Sequence, residues 1–134
     1  MGNITGQCLC GACRYTFAES AILWQQLCYC DSCRRASGAG VVGWIGVSQD
    51  ELDLTGDALT AFSARSDTVR QFCGICGSQL TYRSTQWPNE IHITAGTLAE
   101  PDRFVPTGQV HCAERPKATP LRHDLPAHPG QSSD

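Results

Sequence analysis

The 134-residue chain predicts a mainly β domain, a sandwich-like or folded-sheet arrangement, on three observations. Short β-branched or alternating runs recur along it with turn signals between them. A single segment has a helical look, which argues against a parallel α/β fold. The 41% hydrophobic content, at this length, is enough for one real core.

The elements follow in order. Gly6 to Phe17 reads as a strand interrupted by a cysteine turn, and Ile22 to Cys28 as a second strand. Asp31 to Ser37 (DSCRRAS) is barely two helical turns, with Asp31 as N-cap or with Cys30 and Cys33 forcing the turn instead. Val41 to Val47 (VVGWIGV) is short, β-branched and bounded by glycine and serine. Leu52, Asp53 and Leu54 alternate and stop at Thr55-Gly56-Asp57, a turn signal. Leu59 to Phe62, Thr68 to Phe72, Gln79 to Arg83 and Glu90 to Thr94 continue the series, and Gln109 to Ala113 is a final candidate. In EIHIT, Ile91 and Ile93 share one face.

Composition changes after Arg115. Four of the seven prolines lie between Pro116 and Pro129, before a Gly-Gln-Ser-Ser-Asp end. Residues 1–118 therefore read as one domain and 119–134 as a loosely attached tail. Docking of that tail through Leu121 and Leu125 is the alternative.

Charge excludes one class of partner. A formal net charge of −3, with Arg34-Arg35 the only adjacent basic pair, offers no footprint for nucleic acid. No run approaches the roughly 18 apolar residues of a membrane span, since Ala39 to Val47 is short and holds three glycines. The N-terminus shows no charged-then-apolar leader, and Gly6 stands where a myristoylation signal requires Ser or Thr. The expected location is the cytoplasm.

Nine cysteines are an odd count for a disulfide framework, and their clustering suits metal in a reducing compartment. They fall as Cys8-x-Cys10-x-x-Cys13, Cys28-x-Cys30-x-x-Cys33, Cys73-x-x-Cys76 and a lone Cys112. Zinc takes four ligands, and Phe72-Cys73-Gly74-Ile75-Cys76-Gly77 is a good knuckle supplying two. Spacing leaves both C-x-C-x-x-C runs open as its partner. In an extended segment Cys8 and Cys10 share a face while Cys13 does not, which favours Cys8/Cys10 with Cys73/Cys76. Cys28, Cys30 and Cys33 are then three ligands without a fourth, the pattern of a catalytic or substrate-binding zinc. Cys112, His111 or Cys13 could instead close that site. Cys13 and Cys112 otherwise read as small buried hydrophobes, and His92 and His111 as structural residues in strands.

Taken together, Gly6 to Gly11, Cys28 to Gly38, Phe72 to Leu80 and Ala95-Gly96-Thr97-Leu98 resemble the glutathione-dependent formaldehyde-activating enzyme family, to which centromere protein V is related. The resemblance runs in order from about residue 5 to 115, and its three cysteine motifs are the specific part. It implies a β-tent of antiparallel sheets joined around a structural zinc on Cys8, Cys10, Cys73 and Cys76. It implies a second, catalytic zinc on Cys28, Cys30 and Cys33. The implied activity joins glutathione to formaldehyde, formally a carbon–sulfur lyase run in the condensation direction. Two positions depart: Cys13 replaces an apolar residue, and Arg115-Pro116-Lys117-Ala118 lacks the usual tryptophan. Arg34, Arg35 and Arg70 are candidates for the carboxylates of glutathione, whereas Trp24 and Trp44 read first as core packing, with pocket walls as the alternative. A non-catalytic zinc module and a thiol or metal sensor are the rival functions.

Overall fold

In a computed structural model describing residues 2–131, the chain is mainly β, with two sheets. The smaller sheet has the order β1-β2-β5, formed by β1 (Asn3–Gln7), β2 (Arg14–Ala18) and β5 (Asp53–Thr55), all antiparallel. The larger sheet has seven strands in the order β10-β3-β4-β9-β8-β7-β6. These are β3 (Ile22–Cys28), β4 (Val42–Ser48), β6 (Leu59–Phe62), β7 (Thr68–Cys73), β8 (Gln79–Ser84), β9 (Glu90–Thr94) and β10 (Gln109–Val110). Its neighbours are antiparallel except β10, which lies parallel to β3. One α-helix, α1 (Asp31–Ser37), joins β3 to β4. Among the described residues no helix is long and apolar enough to cross a membrane.

The period-two patterning explains how the sheets meet. Along β1 exposed and buried residues alternate, with Ile4 inward, and β2 buries Tyr15 and Phe17. These pack with Ile45 and Val47 of β4, Ile91 and Ile93 of β9, and Leu80 of β8 in the main core. The buried sulfurs of Cys8, Cys13 and Cys73 belong to the same cluster. A second, smaller cluster holds Cys28, Cys33, Val42, Trp44 and Val110, with Trp24 and Tyr82 packed on it. The large sheet is thus covered by core at one cluster and carries a cavity at the other.

Two local expectations differ from the structure, and the C-terminal segment has partners that composition did not reveal. The last strand stops at Val110 rather than Ala113, because His111 adopts the left-handed region (φ 55°) and Cys112–Glu114 turn as a 3-10 helix. The N-cap of α1 is Cys30, whose sulfur accepts the Cys33 N–H, while Asp31 sits in the first turn. In the C-terminal segment, read from composition as loosely attached, groups between Arg122 and Gly130 hydrogen-bond to Gln109 and His111, and 132–134 fall outside the described residues. His111 N–H donates to the Gly130 carbonyl (2.8 Å), Gln109 N–H to Pro126 (2.9 Å) and His128 N–H to Gln109 (2.9 Å). Gln109 explains the docking. Its fully buried amide accepts from the Tyr29 hydroxyl (2.9 Å) and the Arg122 N–H (2.8 Å), and donates to the carbonyls of Arg122 (2.8 Å) and Leu125 (3.3 Å). All four bonding positions of that amide are filled, so a proline-rich segment without its own secondary structure still has a fixed path.

Candidate metal centres and the adjoining cavity

The turn from β1 to β2 and the turn from β7 to β8 each carry cysteines, and the fold brings the two turns face to face. The Cys8 N–H donates to the Cys13 carbonyl (3.0 Å), and Gly11 takes φ 83° to close the first turn. The Cys73 N–H donates to Ser78 O (3.0 Å), the Gly77 N–H returns to Cys73 O (2.8 Å), and Gly77 takes φ 79°. As a result the sulfurs of Cys8, Cys10, Cys73 and Cys76 all lie within 4.8 Å of one another. The Cys8–Cys10 and Cys10–Cys73 separations are both 3.7 Å. A disulfide needs ~2.05 Å, whereas a tetrahedron of sulfurs at ~2.3 Å from zinc has edges of ~3.8 Å. The donor set fits zinc.

Backbone N–H groups point at these sulfurs, as thiolate charge requires. Cys13 N–H donates to Cys8 Sγ (3.3 Å), and Ile75 and Cys76 N–H to Cys73 Sγ (3.4 and 3.5 Å). The Ser78 hydroxyl and its backbone bring the Cys76 thiol down to about 5. Burial does the reverse at Cys13, pushing it up to about 11. Cys13 is therefore a neutral thiol beside the set, as expected of a buried hydrophobe.

Cys28 at the end of β3, Cys30 at the N-cap and Cys33 in the first turn of α1 make the second group. Their sulfurs also lie within 4.8 Å of one another, with Cys28 and Cys33 3.8 Å apart. Among the described residues no fourth His, Cys, Asp or Glu joins them. His111 instead faces Glu114 (3.4 Å), Cys13 lies at the other group, and Cys112 starts the 3-10 turn. Hydrogen bonds from Cys28 and Cys33 hold Cys30 well below the thiol range, and contact with Cys30 and then Cys33 drives Cys28 far above it. Three sulfurs this close cannot all be thiolates unless a cation sits among them. Again the donor set fits zinc, here with one coordination position left open.

This trio opens on a cavity of about 690 Å³. The family model for the glutathione-dependent formaldehyde-activating enzyme matches residues 3–114. The chain belongs to that family. It is 28% identical over 123 residues, 81% of this chain and 73% of the other, to a Halomonas elongata protein named "Putative glutathione-dependent formaldehyde-activating enzyme". A crystal structure of a Rhodobacter sphaeroides protein shares the fold, with a TM-score of 0.62 at 21% identity over 79% of this chain and 99% of that one.

In this member of the glutathione-dependent formaldehyde-activating enzyme family, the arginines expected near the trio separate. Arg34 and Arg35 both pair with Asp31, the latter at 3.1 Å, and neither lines the cavity. Arg70 of β7 does line it and is buried. Its guanidinium lies over the Tyr82 ring (4.7 Å to the centroid) and donates to Ser32 Oγ (3.3 Å) and Cys33 Sγ (3.8 Å). Trp24 and Trp44, for which core packing was the first expectation and a pocket wall the alternative, both pack in the second cluster and line the cavity. Tyr82, Trp87 and Glu90 were not singled out by the sequence, and no spacing marks them. The one available signal was alternation, which sends Glu90 and His92 to the face opposite Ile91 and Ile93.

Proposed function

We propose that this protein joins formaldehyde, or a related small electrophile, to glutathione or another small thiol, forming or cleaving S-hydroxymethylglutathione as a carbon–sulfur lyase. The observation that carries the reading is the three-sulfur group of Cys28, Cys30 and Cys33, one ligand short of a tetrahedron and open to a cavity. In this reading Cys8, Cys10, Cys73 and Cys76 hold a structural zinc, and Cys28, Cys30 and Cys33 a catalytic one. A zinc ion held by the trio would keep an incoming thiol ionised at neutral pH, where a free thiol with a pKa near ~8.5 is mostly protonated.

The chain's own residues do the rest. The Cys33 N–H (3.3 Å) and the contact with the Ser32 hydroxyl (3.4 Å) fix Cys30 as a ligand. Arg70, braced by Tyr82 and Ser32, sets a positive charge beside Cys33 and offsets part of the thiolate charge. Trp24 and Trp44 wall the space in which the electrophile meets the thiolate and limit water there. The sulfur–carbon bond forms as the carbonyl π bond breaks, the thiol proton leaves to solvent, and the new alkoxide takes a proton back. Glutathione and reduced cysteines both belong to a reducing compartment, so the proposed location is the cytoplasm.

The test is consumption of formaldehyde with glutathione by the zinc-loaded protein, faster than the spontaneous reaction and abolished in Cys30→Ser. A fully zinc-loaded protein that adds nothing to the spontaneous rate would remove this substrate pair from consideration.

A further inference from the structure

Beyond the cysteines, the cavity wall contains a carboxylate in an aromatic setting. Contacts run from Cys33 to Arg70, from Arg70 to Tyr82, and from Tyr82 to His92, whose ring centroids are 5.7 Å apart. Around His92 stand Trp24, edge-on at 4.5 Å, and Trp87 at 5.5 Å. Glu90 Oε1 accepts from the Trp24 indole N–H (3.0 Å) and lies 3.0 Å from His92 Nε2. The carboxylate is thus held in one orientation by two rings that themselves line the cavity.

Its charge is not cancelled. Among the described residues no Lys or Arg lies within 4.0 Å of Glu90, and its one ion-pair partner is His92. Burial lowers the His92 pKa against the pull of Glu90, so at neutral pH the ring is uncharged. Of the other carboxylates that line the cavity, Asp31 is taken by Arg34 and Arg35, whereas Glu114 accepts from the Asp31 N–H (2.9 Å) and faces His111. What sets Glu90 apart is its aromatic surroundings, and a negative charge without a cationic partner among electron-rich rings is the chemistry that recognises an organic ammonium group. Arg70, at the other end of the contact chain, supplies the opposite sign.

We infer that Glu90, Trp24, Trp87 and Tyr82 form a subsite for the ammonium group of the substrate thiol, so that the preferred thiols carry a free amine. This rests on the proposed function only in taking the cavity as the place where the thiol sits. Thiols without the amine still reach the cysteines, but bind more weakly.

The experiment is calorimetric binding to the zinc-loaded protein, using S-methylglutathione and its N-acetyl derivative. Neither carries a thiol, so neither depends on the reaction. The amine-bearing ligand is expected to bind about tenfold more tightly, and Glu90→Gln to erase that preference. Glutamine keeps an oxygen for the Trp24 N–H, so the wall should stand in the variant. Equal binding of the two ligands, binding of neither, or a preference that survives Glu90→Gln would each overturn the inference. A preference of this kind in a protein without formaldehyde activity would defeat the proposed reaction and leave the subsite intact.

Discussion

Gly46→Ala should unseat a wall of the cavity. Trp24 and Gly46 are directly opposed on neighbouring antiparallel strands, and the indole lies where a Gly46 side chain would point. A Cβ added there would sit 2.2 Å from Trp24 Cε2, 2.4 Å from Nε1 and 2.7 Å from Cζ2. Ordinary carbon contacts begin near ~3.5 Å, so the ring must retreat by roughly 1 Å or more. Such a shift breaks the 3.0 Å bond from Nε1 to Glu90. Overpacking costs about 1–3 kcal/mol and the lost bond about 1 kcal/mol, together about 2–4 kcal/mol. For a domain of this size that is a fall in Tm of roughly 7–14 °C. Urea and thermal unfolding of the zinc-loaded protein, followed by tryptophan emission, read both quantities. In a Trp24→Ala background the same substitution should be neutral or mildly stabilising, since Ala suits a strand better than Gly. If Gly46→Ala unfolds within 0.5 kcal/mol of the parent with unchanged emission, the packing argument fails.

Two further perturbations test other parts of the structure. Burial lowers the His92 pKa from 6.5, so on acidification the unfolded chain takes the proton first and the folded state loses stability below about pH 6.5. His92→Phe should therefore lose less stability than the parent between pH 7.5 and 5.5, and urea melts showing identical losses would contradict this. Gln109→Leu strands Tyr29, Arg122 and Leu125 groups that the buried amide now satisfies, at a cost of about 3 kcal/mol. Limited proteolysis should then cut within residues 119–131, and an unchanged digestion pattern would show that the segment is held by other contacts.

Much of this was legible in the chain because strands with one buried face announce themselves. β3, β6 and β9 lie where β-branched or alternating residues put them, and the helix falls on Asp31 to Ser37 as read. The cysteines within each turn were legible as neighbours for a similar reason, since a short turn brings its own sulfurs together whatever surrounds it. Relations across the fold were not. Nothing in a proline-rich composition reveals that one buried glutamine, ten residues or more away, anchors the C-terminal segment. The adjacent pair Arg34-Arg35 drew attention by its place after the cysteines, but on a helix Asp31 is three and four residues away and takes both. Arg70 reaches Cys33 from a strand far off in sequence, which no local pattern records.

The proposed chemistry needs metal on both the four-sulfur and the three-sulfur groups. X-ray absorption at the zinc edge, with zinc counted per chain, is the decisive experiment. Two ions per chain are expected, in an all-sulfur and a three-sulfur shell at ~2.3 Å, with Cys30→Ser retaining only the former. A native chain without bound zinc, its cysteines oxidised in pairs, would contradict it.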